Sequence, residues 1–305
     1  CLRGAIVVDQ HGRTNLPHVW AVGDAAVSVH AVTADQRPVA LAGPAARAGR
    51  LVADAIGSPE PRPIPRPLGT SIVRAGTLTA AMTGANRAAL TAAGQDFTTV
   101  HVHPTQHVGW FPGAQQLHLV VHFDPATGEL LGAQGVGPEG VDKRIDVLAT
   151  AIRAGLSAPD LMDLDLSYSP PYGAARDAVT MVGLVADNVL TGQMRLWQPE
   201  QLSWARAEAF VLDVRTAEEF AQGHLPEAIN IPHIELRQRL EEVRHQAAGR
   251  PVAVLCQSGV RSYIAHRVLA AAGIDSVTLS GGMLTLRAHL GQQSTDVLVK
   301  EPTER

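Results

Sequence analysis

The sequence predicts two fold classes in one chain, an α+β part with a mainly antiparallel sheet followed by a parallel α/β domain. Three observations carry that reading. Segments between 68 and 187 alternate apolar and polar residues with a period of two and are joined by hairpin-like turns. From 198 onward, short apolar runs alternate with helical stretches, the pattern of a parallel sheet. Between this body and what precedes it lies PEPRPIPRP (59–67), too rich in proline for helix or strand.

In chain order, GAIVV (4–8) and the start of VWAVGDAA (19–26) read as short buried strands, the second closing on Gly-Asp and small residues. RPVALAGPAARAGRLVADAI (37–56) reads as a helix with Pro38 and Pro44 near its start and Gly57 after its end. TSIVRAGTLTAAMTG, FTTVHVHP and LHLVVHFDPATGELLGAQGVG supply the period-two strands. DKRIDVLATAIRAGL (142–156) is an amphipathic helix with Ile145, Leu148, Ile152 and Leu156 on one side. A second helix, roughly 174–190, leads out of this region.

Beyond it come a helix near 199–207, strand AFVLDV (209–214), helix 216–222 and a turn through Gly223 and Pro226. Helix 233–246, strand PVAVLC (251–256), helix 261–272 and strand SVTLS (276–280) complete the alternation. The expected division is 1–58, 68–187, 198–290 and a polar, loose tail at 291–305.

The chain has 305 residues, 46% hydrophobic and 18% charged, which fits a globular protein. A net charge of -4 offers no basic field for nucleic acid, so no nucleic-acid partner is expected. No apolar run approaches the roughly 20 residues that span a bilayer, and no membrane partner is expected either. The only cysteines, Cys1 and Cys256, are too few for a disulfide framework and suit a reducing cytoplasm. Opening on Cys within what reads as the inside of a fold, the chain is expected to be a fragment. His101, His103, His107, His118 and His122 suggest a metal by alternate spacing, but no carboxylate or cysteine stands at ligand spacing, and no metal is expected.

VAVLCQSGVRS (252–262) is the stretch richest in chemistry. A buried strand ends at Cys256, and a helix begins near Arg261. Strand carboxyl ends carry the reactive sites of open parallel sheets. A helix amino terminus presents unpaired N–H groups and a positive dipole end, both of which favour a thiolate. Gly259 permits the backbone angles that turn several N–H groups inward, and Arg261 adds a cation. Gln257, Ser258, Gly259 and Val260 would then cradle an anion on the Cys256 sulfur. With four residues between Cys256 and Arg261, the loop is shorter than a cysteine-dependent phosphatase needs around a tetrahedral phosphate. It suits the terminal sulfur of a persulfide. The alternative is a buried structural cysteine.

With VLDVRTAEEFAQGHLPEAINIP (211–232), CQSGVRS and LSGGM (279–283) in that order, residues 198–290 resemble a rhodanese domain. The resemblance implies that Asp213 and Arg215 brace the loop, that His224 belongs to the GHLP turn, and that Cys256 works by a ping-pong route through a persulfide.

TNLPHVWAVGDAA (14–26) followed by LAGPAARAGRLVADAI (41–56) resembles the second flavin-binding segment of the pyridine nucleotide-disulfide oxidoreductases. Under that resemblance Asp24, after Gly23, bonds the FAD ribityl chain and Ala42 lies near the isoalloxazine ring. Residues 68–187 then resemble the superfamily's dimerisation domain. EGVDKRIDVLATAI (139–152) and LSYSPPYGAARDAVTMVG (166–183) are similar to coenzyme A-disulfide reductases and their rhodanese-fused relatives, including NADH-dependent persulfide reductases. The likeness implies that Tyr168 reaches the partner subunit's site in a homodimer, where a phenol can hydrogen-bond or protonate a leaving thiolate. GWFPG (109–113) puts Trp110 where the relatives carry a second tyrosine, and an indole cannot transfer a proton as a phenol does.

The expected parent is therefore a FAD- and NAD(P)H-dependent reductase of coenzyme A disulfides or small-thiol persulfides, with sulfur donors and thiols as its small-molecule partners. Its redox cysteine and first Gly-rich motif would lie upstream of residue 1. A sulfurtransferase on a dimerisation scaffold and a non-catalytic rhodanese binding module are the alternatives.

Overall fold

A computed structural model of the chain describes residues 1–2 and 4–300. They fall into two compact units, Cys1–Thr98 with Val121–Ser157, and Thr99–Val120 with Ala158 onward.

In the first unit, β1 (Val27–Val29) pairs antiparallel with β2 (Gln36–Pro38). Helix α1 (Ala42–Gly57) follows, with Ala48, Leu51, Val52 and Ala55 buried at the three- and four-residue spacing of one helix face. Strands β3 (Ser71–Ala75) and β4 (Leu78–Gly84) form a hairpin in which Ala75 opposes Leu78. Helix α2 (Arg87–Ala92) is capped by Asn86, whose side chain accepts from the Ala89 N–H. Next in the chain come β5 (Thr98–Val102) and β6 (His118–Phe123), each of which crosses a boundary between the units, and β7 (Leu130–Gly137), antiparallel to β4. The strand order of this five-stranded sheet is β3-β4-β7-β6-β5. Helix α3 (Val141–Ala154) buries Val141, Ile145, Leu148 and Ala151, and stops at left-handed Gly155.

The second unit continues with α4 (Ala178–Leu190), whose first turn is capped by the Asp177 side chain. A parallel sheet is then built from β8 (Leu196–Trp197), β9 (Phe210–Asp213), β10 (Ile229–Asn230), β11 (Val252–Leu255) and β12 (Ser276–Leu279). Its order is β10-β9-β11-β12-β8, and its neighbouring strands pair parallel. Helices α5 (Leu202–Glu208), α6 (Ala217–Ala221), α7 (Leu240–Ala247), α8 (Val260–Ala271), α9 (Gly282–Leu290) and α10 (Ser294–Val297) complete the order. Strands covered on both faces read as continuous apolar runs, and FVLD and VAVL are buried at every position. Leu212, Val252 and Val254 pack with Val243 and Leu269 in one core. Val211, Ala253 and Leu255 pack with Trp197, Met283 and Leu286 in the other. Alternate side chains of the same strand thus serve opposite layers.

Several expected elements differ. Residues 4–8 and 19–22 are not strands: pairing there is limited to single bridges such as Ile6 with Ala26 and Arg13 with Trp20. An apolar run becomes a strand only where neighbours supply a ladder, and Ile6, Val7 and Val19 stand exposed. The expected helix from 37 begins at Ala42, because Pro38 ends β2 and Pro44 suits a first helical turn. On α3, Ala151 and Val141 rather than Ile152 and Leu156 complete the buried stripe. The helix expected over 233–246 is divided into a 3-10 turn at Leu236–Gln238 and α7. Residues 291–300 are not loose: a 3-10 turn and α10 lead to Val299, which exchanges backbone hydrogen bonds of 3.0 Å with His224. The rest of the expected tail, 301–305, lies outside the described residues.

Candidate active site around Cys256

Cys256 immediately follows β11, at the carboxyl edge of the parallel sheet, and α8 begins four residues later. Its side chain is 1% exposed. Gly259, the residue before α8, has φ 104° and donates its N–H to the Cys256 Sγ at 3.2 Å. Ser262 Oγ lies 3.5 Å from the same sulfur and donates to the Gly259 carbonyl at 2.9 Å. The sulfur therefore sits on a helix amino terminus with a backbone donor aimed at it, an arrangement that stabilises an anion.

A second turn supports the first. The Met283 N–H donates to the Cys256 carbonyl at 2.8 Å, and the Leu284 N–H to Gln257 at 3.0 Å. Gly282 makes this approach possible: a Cβ there would stand 2.5 Å from the Cys256 carbonyl oxygen.

Arg261 is held by Glu219, with bonds of 2.6 and 2.7 Å from its two terminal nitrogens to the two carboxylate oxygens. That pair pushes the guanidinium pKa up and, chiefly through the Arg261 bonds, holds the Glu219 carboxyl at about 2. Cys256 and Asp213 add smaller favourable charge interactions to Arg261. The cation expected beside the sulfur is thus a tethered ion pair. Glu219 was missed in the sequence, although T-A-E-E (216–219) spells a capping box and both of its hydrogen bonds form, Thr216 to Glu219 and back.

Behind the loop, Asp213 and Arg215 form a fully buried pair, with the Arg215 N–H, Nε and Nη2 all donating to the Asp213 carboxylate. The same guanidinium donates to the carbonyls of Glu219 and Gly223. Asp213 stands opposite Leu255 in the β9–β11 register, so the pair braces the strand end from which Cys256 emerges. His224 stacks on Phe220 at 3.6 Å between ring centroids.

Gln257, Ser258 and Val260 form the rim of the loop together with Gly259, and Val260 is 52% exposed. Ser258, Gly259 and Val260 also wall a cavity of about 460 Å³ whose other side is α4. Near it, His101 bonds Ser280 at 2.9 Å, while His103 bonds Thr285 at 2.7 Å and His118 at 2.8 Å. Burial first, then His118 and His101, press the His103 pKa down to about 3.

The other expected site residues lie elsewhere. Tyr168 is half-exposed on the loop that precedes Gly173, and none of the hydrogen bonds at Cys256 involves it. Its loop is joined to the Trp110 loop by the Val108 N–H donating to Gly173 at 2.9 Å, and Trp110 is 74% exposed. Gly23, Asp24 and Ala25 form a 3-10 turn packed on α1. A Cβ on Gly23 would meet the Ala45 Cβ at 3.3 Å, so turn and helix approach closely there. Gly23 and Ala45 wall a cavity of about 200 Å³, while Asp24 and Ala42 are exposed.

Residues 198–288 match the family model of the rhodanese-like domain, and residues 71–179 that of the pyridine nucleotide-disulphide oxidoreductase dimerisation domain. Over 184 residues the chain is 35% identical to a coenzyme A disulfide reductase of Staphylococcus aureus, covering 60% of this chain and 42% of that one. Among solved structures, reduced Bacillus anthracis CoADR-RHD superposes with a TM-score of 0.92 at 37% identity, over 98% of this chain and 53% of the other. A NAD-dependent persulfide reductase from A. fulgidus does so with a TM-score of 0.83 at 34% identity, over 92% and 50%. The chain spans about half the length of these relatives.

Proposed function

From a chain that joins a pyridine nucleotide-disulphide oxidoreductase dimerisation domain to a rhodanese-like domain, we infer that Cys256 is a sulfane-sulfur carrier in a flavin-dependent disulfide or persulfide reductase. The observation that carries this is the placement of its sulfur, at a strand's carboxyl end, with the Gly259 N–H 3.2 Å away at the head of α8. The Cys256 thiolate attacks the outer sulfur of a donor RSS⁻; the donor S–S bond breaks, RS⁻ leaves, and Cys256 retains the sulfur as a persulfide. Attack by an acceptor thiolate on that terminal sulfur returns Cys256. Gln257, Ser258, Gly259 and Val260 hold the charge on the carried sulfur, and Arg261 fixes the loop through Glu219.

We assign 1–58 as the end of a FAD-binding domain, 68–187 as the dimerisation domain, 198–290 as the rhodanese domain and 291–305 as a tail. The close approach of Gly23 to Ala45 and the exposed Asp24 carboxylate fit a flavin lying along this turn, with Asp24 and Ala42 as its contacts. FAD, fed by NAD(P)H, would supply the electrons that open a disulfide or persulfide bond. Coenzyme A disulfide or persulfide is the proposed substrate, as the relatives' names indicate. A homodimer would place Tyr168, half-exposed here, at the partner's site, where its hydroxyl donates to a departing thiolate. Two unbridged cysteines favour a reducing cytoplasm, and among the described residues no helix is long and apolar enough to cross a membrane.

The test is the intact mass of the chain after incubation with a sulfur donor, beside Cys256→Ser. One added sulfur in the wild type alone is expected. No addition to the folded wild type, or equal addition to the variant, overturns the carrier role.

A further inference from the structure

We propose that the cavity between α4 and the cysteine loop binds the organic arm of the sulfur donor, so that Cys256 takes sulfur from donors carrying an apolar group in preference to inorganic ones. This rests on the carrier role of Cys256 and names the substrate class of that site.

At about 460 Å³ the cavity falls within the range of small-molecule sites. Met181, Leu184 and Val185 of α4 form one wall, and Met194 and Leu196 continue it. Among the described residues the three α4 side chains are only half-buried, which leaves this strip of the helix open to a ligand. The opposite wall is the rim of the loop, Ser258, Gly259 and Val260, with Tyr263 one helical turn further. Gly259 therefore serves both sides: its backbone walls the cavity and its N–H points at the sulfur. Cys256 itself is 1% exposed, and Gly259 is the residue that touches both its sulfur and the cavity.

The cavity is held open by polar contacts at its edges. Tyr263 donates its hydroxyl hydrogen to Asn188 Oδ1 at 2.9 Å, tying α8 to α4. His101, bonded to Ser280, fixes the far edge. Arg176 and Asp187 supply the charges among the lining residues, and Arg176 is exposed. Thiosulfate gains nothing from apolar walls, whereas each methylene that leaves water for them is favourable.

The step needs no outside oxidant. The Cys256 thiolate attacks the terminal sulfur of an alkanethiosulfonate RSO₂S⁻. The bond between the two donor sulfurs breaks, its electron pair leaves with the sulfinate RSO₂⁻, and the transferred atom becomes the outer sulfur of the Cys256 persulfide.

The experiment measures the rate of persulfide formation on the full chain with thiosulfate and with methane-, butane- and hexanethiosulfonate. The expected rise from methyl to hexyl is about tenfold or more. Leu184→Trp, which fills the cavity, should bring the hexyl-to-methyl ratio toward one. Hexanesulfonate, with the same arm and no transferable sulfur, should slow loading by the hexyl donor, and this decides the matter if the variant does not fold. A flat series in the wild type, an equally steep series in folded Leu184→Trp, or no competition by hexanesulfonate overturns the proposal. Loading by thiosulfate with a flat series removes this site alone; loading by no donor removes the carrier role as well.

Discussion

Arg261 reaches the cysteine loop already paired, and the pairing decides what its charge can do. By binding both carboxylate oxygens, Arg261 holds the Glu219 carboxyl at about 2, so the pair is charged at neutral pH. Glu219→Gln would leave the Arg261 charge uncompensated near the sulfur. Alkylation of Cys256 by iodoacetamide at pH 7 should then quicken by a few-fold, with a stability change of about 1 kcal/mol or less because both side chains are partly exposed. An unchanged alkylation rate would show that Arg261 does not sense the sulfur. Gly282 makes a sharper case. Its φ is 64°, and a methyl group would enter the Cys256 carbonyl at 2.5 Å and the Gln257 carbonyl carbon at 2.8 Å. Neither is a flexible side chain that can swing away. Gly282→Ala should cost about 3 kcal/mol in a denaturant titration and slow sulfur loading, since the displaced backbone is that of the loop.

At the scale of elements, the parallel sheet presents its chemistry at one edge because β9 and β11 end side by side, Leu255 opposite Asp213. The Asp213–Arg215 pair ties that edge to α6 and to the turn at Gly223. Both charges are withdrawn from water, so removing one leaves the other buried without its partner. Asp213→Ala should lower stability by about 3–5 kcal/mol, read as a shift in the urea midpoint. Loss of less than about 1 kcal/mol would mean that water reaches Arg215 and that the pair is not the brace it looks to be. The bridge between His224 and Val299 brings the 291–300 segment back to the same turn, with Val297 and Leu298 packed against the core that holds Leu255.

For the whole molecule, pH is the informative variable. His103 and His122, one in each compact unit, are held neutral mainly by burial, at about 3 and about 4. Both fall from 6.5, so below that pH the unfolded chain binds protons that the folded chain refuses. The stability they contribute is full above pH 6.5 and is lost as pH falls through the folded values. Between pH 6.5 and 5 each should account for up to about 2 kcal/mol. The melting temperature should therefore fall from pH 7.5 to 5, and His103→Gln should flatten that slope even though it removes the bond to Thr285. A variant as steep as the wild type would assign the acid sensitivity to other groups.

Some of this was legible in the residue order alone. Period-two alternation marked the β3–β4 hairpin, buried apolar runs marked β9 and β11, and strand-Cys-Gly-Arg-helix marked the loop, because each signal is local in the chain. The strands expected at 4–8 and 19–22 failed for the complementary reason: a strand exists by its ladder, and pairing depends on residues elsewhere. Likewise Thr216 to Glu219 announced a helix start, but not that the cap would also hold Arg261, 42 residues on. The cavity beside Gly259 was invisible, since α4, β8 and α8 reach it from segments spread over 181–263. Sequence singled out Cys256 as the candidate nucleophile, because reactivity belongs to a residue type and its immediate backbone. What reaches that side chain, and what holds its neighbours in place, was decided only by the packing of distant segments.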